Sequence, residues 1–160
     1  MIKDSGNRTE FETGAVRDMR EGKGRCDLLP LDIISEFLDD EVIWNIYLFM
    51  EGDKNTIRGY AGYLLTAVRQ FCLLHEWDME TMLLEVAIHF EEGAKKYGDN
   101  NWRKGIPVRC YIDSALRHYF KYRRGDKDEP HDRAFCWNLL CAAWTCDHMP
   151  ELNDYAKEEK

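Results

Sequence analysis

The run from His131 to Thr145, HDRAFCWNLLCAAWT, constrains the fold more than any other stretch of the chain. Phe135, Trp137, Leu139, Leu140 and Trp144 leave it almost no polar face. A helix of that kind must be covered on every side, so it belongs in the middle of a bundle. Pro130 suits its first turn. Asn138 interrupts the apolar surface. Buried without a hydrogen bond it would be costly, so it is expected to meet a partner group or a ligand.

The remaining segments supply helices to cover this one. LDIISEFLDDEVIWNIYLFMEG starts after Pro30 with Asp32 in its first turn. It sets Ile33, Ile34, Phe37 and Leu38 on one face and Ile43, Ile46, Tyr47 and Met50 on another, as one helix or as two joined near Asp39-Asp40. After Thr56, residues Tyr60, Leu64, Ala67 or Val68, Phe71 and Leu74 follow the spacing of a core-facing stripe. His75 then falls near a helix C-terminus, where a cation is favoured. A third long helix begins near Asp78, turns Met82, Val86, His89 and Phe90 to one side with Leu83 beside them, and ends where Gly98 suits a left-handed C-cap. Asp99, Asn100, Asn101 and Gly105 make a turn-rich loop as far as Pro107. A fourth helix, from about Cys110 to Arg124, points Ile112, Leu116, Tyr119 and Phe120 inward and ends at Gly125. Asp113 and Arg117 share its neighbouring polar face, where an exposed pair contributes about 0.3 kcal/mol.

No segment shows sustained strand alternation and no repeat appears. The expectation is an all-α, single-domain bundle of five to six helices over residues 13–149, with a disordered segment at 1–12 and an acidic tail at 150–160. A length of 160 residues suits one core. With 44% hydrophobic and 32% charged residues the chain is globular in composition. The net charge of −8 argues against an extended nucleic-acid partner, although a metal ion or a few focused cations would still hold one small phosphate ligand. Six cysteines form no CxxC pair, and the polar N-terminus resembles neither a signal peptide nor a membrane span. Reduced thiols in a cytoplasm follow.

The polar groups able to do chemistry gather between Glu85 and His148. Glu85, His89 and Glu92 fall at i, i+4 and i+7, where they could share a divalent cation with a neighbouring helix. They could equally be two surface acids and a histidine at the core edge. TGAVRDMREGKGRCDLLP offers Arg17, Lys23 and Arg25 either as a phosphate-binding loop or as a solvated segment.

TGAVRDxxEGKGRCDLLP, HFEEGAKKYGDNNWRKGIP, RHYFKYRRGD and DEPHDRAFCWNLLCAAWT together resemble a family of phage and prophage proteins, the dATP/dGTP diphosphohydrolase N-terminal domain family, over roughly residues 13–145. The resemblance implies a MazG-like, all-α nucleotide pyrophosphohydrolase that binds Mg²⁺, or Mn²⁺, through helix-borne carboxylates and forms sites between subunits of a homodimer. It also implies action in the host cytoplasm. Its functional positions correspond here to Arg17, Asp18, Lys23, Arg25 and Asp27; to Lys96, Tyr97, Asn101 and Trp102; to Arg117 and His118; and to Asp128, His131 and Asn138. MazG-like enzymes carry a Glu-Glu-x-x-Glu helix followed by Glu-x-x-Asp. Here Glu91-Glu92 runs into Gly93, Ala94 and Lys95, and Ala134 stands where many relatives have a second histidine.

Four functions follow. The leading one is hydrolysis of dATP or dGTP to a monophosphate and pyrophosphate. Glu85, Glu92 or the Asp128/Glu129 pair would hold the metal, with His89 beside them. Lys96, Arg17 or Lys23 would hold phosphates, Tyr97 or Trp102 would stack on the base, and His131 would activate water with Glu92 and His118 as further catalytic candidates. A second treats His131-Asp132 as a metal-binding dyad with His89 or His118 and Asp147. A third is capture of a nucleotide or nucleotide-derived signal without cleavage. The fourth is a structural adaptor.

Overall fold

The computed structural model describes residues 3–56 and 58–156. Expectations for residues 1, 2, 57 and 157–160 lie outside the described residues. Among the described residues there are six α-helices: α1 (Leu31–Leu38), α2 (Glu41–Met50), α3 (Tyr60–His75), α4 (Met79–Tyr97), α5 (Val108–Arg124) and α6 (His131–His148). As its apolar surface requires, α6 is the central element and packs against α3, α4 and α5. Phe71 of α3, Tyr119 of α5 and Phe135 of α6 meet with ring centroids 4.7–6.2 Å apart. All six cysteines are free thiols. No described helix is long and apolar enough to cross a membrane.

The Asp39-Asp40 junction makes two helices, α1 and α2. Asp39 takes the left-handed conformation with φ 51°, and Asp40 caps α2 by accepting from the Val42 and Ile43 amides at 3.0 and 3.1 Å. Its second oxygen accepts the Tyr119 hydroxyl at 2.6 Å. Asp40→Ala removes a cap and leaves a buried hydroxyl unpaired, at about 1 kcal/mol each. A urea unfolding curve should show a loss of about 2 kcal/mol with an unchanged m-value.

Three expected core faces are corrected. In α1 the buried residues are Leu31 and Ser35, whereas Ile33, Phe37 and Leu38 are exposed. This short helix packs chiefly on α2, and the turn at Asp39 decides which face meets it. Leu74 of α3 and Leu83 of α4 are also exposed. Gly98 has a positive φ of 88° with ψ 158°, an extended exit from α4 and not the expected left-handed cap.

Two strands also stand where none was expected. β1 (Arg8–Glu10) pairs antiparallel with β2 (Val16–Asp18), so part of the segment expected to be disordered is a hairpin arm. Three-residue strands are too short to show a period of two. The hairpin is held from outside itself: Asn101 exchanges two hydrogen bonds with the Val16 backbone at 2.8 and 2.9 Å, and Thr13 donates to the Gly105 carbonyl. The C-terminal residues through 156 pack back as well. Tyr155 meets Phe49, and Leu152 with Met149 covers Gly105 so closely that a Cβ there would lie 2.7 Å from Leu152 Cδ1.

Candidate functional site

A cleft of about 1580 Å³ lies between β2 with its following loop, the C-terminal half of α4, α5 and α6. Small-molecule sites run to roughly 300–1,000 Å³, so it is ample for a nucleotide. On its wall Arg17 Nη2 donates to Asn138 Oδ1 at 2.6 Å, and the guanidinium lies 5.1 Å from the Tyr111 ring centre. This is the partner the interior Asn138 required, while its Nδ2 donates to the Ala134 carbonyl.

Below Arg17, Asp113 is fully buried, so it is not the exposed partner the helix spacing suggested. It accepts from Arg117 Nη2 at 2.5 Å and from the Cys26 amide at 2.7 Å, with Arg20 Nε 3.7 Å away. Arg117 also donates to the carbonyls of Lys23 and Gly24. One buried carboxylate thus ties the loop after β2 to α5 and positions two guanidinium groups. Arg17 Nη1, Arg20 Nη1, His89 Nδ1 and Trp137 Nε1, all on cleft-lining residues, are buried without a hydrogen-bond partner among the described residues. An unmet buried polar atom costs about 1–3 kcal/mol, so this wall gains from a ligand rich in acceptors.

A second constellation opens onto the cleft through His118 and Glu129. Gly125, left-handed at φ 89°, stops α5, and the loop to Pro130 brings Asp128 and Glu129 beside the start of α6. His118 Nδ1 lies 2.9 Å from His131 Nδ1, and His131 Nε2 lies 2.7 Å from Asp128 Oδ1. The backbone N–H of Lys3 donates to Glu129, and its ammonium group rests on Asp128 at 2.6 Å. That ammonium, followed by His131, holds the Asp128 carboxyl far below the usual range. Burial, reinforced by His131, holds His118 well below 6.5 and therefore neutral. Potential ligand atoms of His118, Glu129 and His131, and of Asp126, Asp128 and His131, lie within 4.8 Å of one another. This mixed imidazole and carboxylate set fits a divalent ion.

The geometry does not assemble several expected roles. His131 has both ring nitrogens engaged, so it is not placed as a free base for water. Asp132 faces His75 Nε2 at 3.2 Å, and Asp147 pairs with Arg58. Asp147 stands sixteen positions from His131 on the same helix, roughly 24 Å away, so the His-Asp dyad gathers no common site. On α4 the Glu85, His89 and Glu92 stripe meets Arg133, whose guanidinium lies 2.8 Å from Glu92 and 3.6 Å from Glu85. A cation is therefore already seated there as a side chain, and these three form no metal-holding group among the described residues.

His89 is buried beside Trp137, and burial followed by Arg133 lowers its pKa to about 3. Between pH 6.5 and about 3 the unfolded chain takes up a proton that the folded chain refuses. Stability therefore falls on acidification through that window, by up to about 1.4 kcal/mol per unit. Urea curves at pH 7 and pH 5 should show wild type losing about 2 kcal/mol more than His89→Gln.

Of the other expected binding residues, Lys23 lines the cleft and pairs with Asp18 at 2.6 Å. Arg25 is committed to Asp27 and does not line the cleft. Lys96 holds the Lys3 carbonyl at 2.8 Å. Tyr97 lies under the Arg8 guanidinium, Trp102 packs among Phe90 and Trp144, and Asn101 serves the hairpin. Sequence reasoning missed Arg20, Arg133 and Lys3. Arg133 had a signal, a charge inside an apolar helix that needs a buried partner; Lys3 had none.

The profile of the dATP/dGTP diphosphohydrolase N-terminal family matches residues 67–155, more than half of the chain. The chain belongs to that family. No curated protein and no solved structure matches it. The matched part of this diphosphohydrolase-family domain holds α4, α5 and α6 with His118, Asp128, Glu129 and His131. The hairpin and Arg17, Arg20 and Lys23 precede the match, which is shorter at that end than the resemblance suggested.

Proposed function

We propose that the cleft binds a purine deoxynucleoside triphosphate and that the protein hydrolyses it to a deoxynucleoside monophosphate and pyrophosphate, with a divalent ion at the His118, Asp128, Glu129 and His131 cluster. The observation carrying this reading is the adjacency of that cluster to a wall on which Arg17 and Arg20 hold buried, unpartnered guanidinium nitrogens. Charge-assisted bonds from such donors to phosphate oxygens are about twice as strong as neutral ones. Family membership supports the nucleotide class. The resemblance favours a role in phage nucleotide metabolism in the host cytoplasm, as a homodimer.

Asn138 fixes the plane of Arg17, and Asp113 fixes Arg117 and Arg20, so the phosphate-facing cations are set before ligand arrives. Phe90 and Trp137 give an apolar wall for the base, with Trp137 Nε1 and His89 Nδ1 as its polar edges. When bound, the ion would neutralise phosphate charge and lower the pKa of a coordinated water.

Capture without cleavage is the second reading, favoured by Arg133 on the α4 carboxylates. Incubation with each dNTP, with and without Mg²⁺ or Mn²⁺, separates the two when products are resolved by ion-exchange chromatography. Metal-dependent monophosphate and pyrophosphate are expected. Unchanged dNTPs, with intact nucleotide recovered from heat-denatured protein, would leave capture as the function.

A further inference from the structure

We propose that His118, His131 and Glu129 form a two-histidine, one-carboxylate centre for a transition divalent ion of the Fe²⁺ to Zn²⁺ series, in preference to Mg²⁺. The proposal rests on the divalent-ion reading above and deepens it by naming the donor atoms and the class of ion.

The two Nδ1 atoms face each other at 2.9 Å. In that arrangement one ring donates a proton and the other accepts it, and a metal ion can replace the shared proton. Two imidazole nitrogens on one tetrahedral ion stand about 3.4 Å apart, given Zn–N distances near 2.0–2.1 Å. The nitrogens therefore need to part by only a few tenths of an ångström, while each ring turns so that both lone pairs converge on the ion. Glu129 supplies the third donor within the same 4.8 Å.

Asp128 has a different task. It accepts from His131 Nε2 at 2.7 Å, which fixes the ring tautomer so that Nδ1 is the coordinating atom. A carboxylate behind a ligating histidine is the usual outer partner of such ions, and its loss costs about 10- to 100-fold in affinity. The Lys3 ammonium that rests on Asp128 is largely exposed, so unlike the buried Arg133 on the α4 carboxylates it can swing into solvent when an ion binds. His118 and Glu129 line the cleft, so the remaining coordination positions face the ligand space. Imidazole donors set the selectivity: they suit Fe²⁺, Ni²⁺, Cu²⁺ and Zn²⁺, with Co²⁺ between them in affinity, whereas Mg²⁺ prefers oxygen ligands and retains its waters.

The test uses tag-free, full-length protein stripped with EDTA and no nucleotide, titrated with Co²⁺ while visible absorption is followed. One Co²⁺ per chain with ligand-field bands is expected, with no displacement by excess Mg²⁺. His118→Ala and Glu129→Gln should each weaken Co²⁺ binding by at least about tenfold, and Asp128→Asn by about 10- to 100-fold. Glu85→Gln should bind as wild type, and circular dichroism checks that each variant is folded. No Co²⁺ binding by the wild type, displacement by excess Mg²⁺, or wild-type binding by folded His118→Ala and Glu129→Gln would overturn the proposal. Because this titration contains no nucleotide, it is independent of turnover: Co²⁺ binding here together with unchanged dNTPs in the incubation above would sink the enzyme reading and leave this centre standing.

Discussion

Asp113→Ala should lower the free energy of unfolding by about 3–5 kcal/mol, the range for removing one partner of a buried ion pair. The carboxylate is fully buried and answers Arg117, the Cys26 amide and Arg20 together. Without it Arg117 retains the Lys23 and Gly24 carbonyls but no counter-charge within the pair, and the loop after β2 loses its anchor on α5. At about 2–4 °C per kcal/mol for a chain of this size, the melting temperature should fall by roughly 10 °C. Urea unfolding followed by circular dichroism checks this, and a loss under 1 kcal/mol would mean that solvent reaches Asp113. Leu116→Ala provides a comparison, because its loss comes from a cavity and not from an orphaned charge.

Periodicity was sufficient where one helix face meets one neighbour. α6 could be placed at the centre because Asn138 is the one polar residue between Ala134 and Trp144, and the need of Asn138 for a partner followed from the same fact. Periodicity failed where a turn sets orientation: in α1 the apolar residues Ile33 and Phe37 face solvent because the left-handed Asp39 fixes how the helix meets α2. It also failed for Asp113, whose i, i+4 spacing to Arg117 looks the same on a surface and under a loop. What buries it is the segment after β2, which carries no periodic pattern.

The candidate site divided along the same line. His118, Asp128 and His131 were legible as polar residues flanking α5 and α6, but their convergence depends on the six-residue connection from Gly125 to Pro130. The α4 stripe had the better local spacing for a metal and lost it to Arg133, a residue forty-one positions beyond Glu92. Helix spacing reports which groups share a face. It does not report which opposite charge another helix will bring to that face.

Arg17→Met should weaken nucleotide binding by about 10- to 100-fold, equivalent to about 1.5–3 kcal/mol for a hydrogen bond to a charged group. Titration calorimetry with a non-hydrolysable purine deoxynucleoside triphosphate analogue measures it. The substitution also strands Asn138 Oδ1, so a folding defect must be separated from a binding defect. Arg17→Met with Asn138→Leu removes both partners and should recover most of the lost stability, because paired apolar replacement leaves nothing unsatisfied. Binding should stay weak in that double variant, since the donor to phosphate is still missing. Arg17→Lys should fall between, because a single ammonium cannot reach both Asn138 and a phosphate in the way a planar guanidinium does. Wild-type affinity in the stable double variant would show that the phosphates do not lie against the Arg17 wall, and would move the binding site toward Lys121 and Arg124, which also line the cleft.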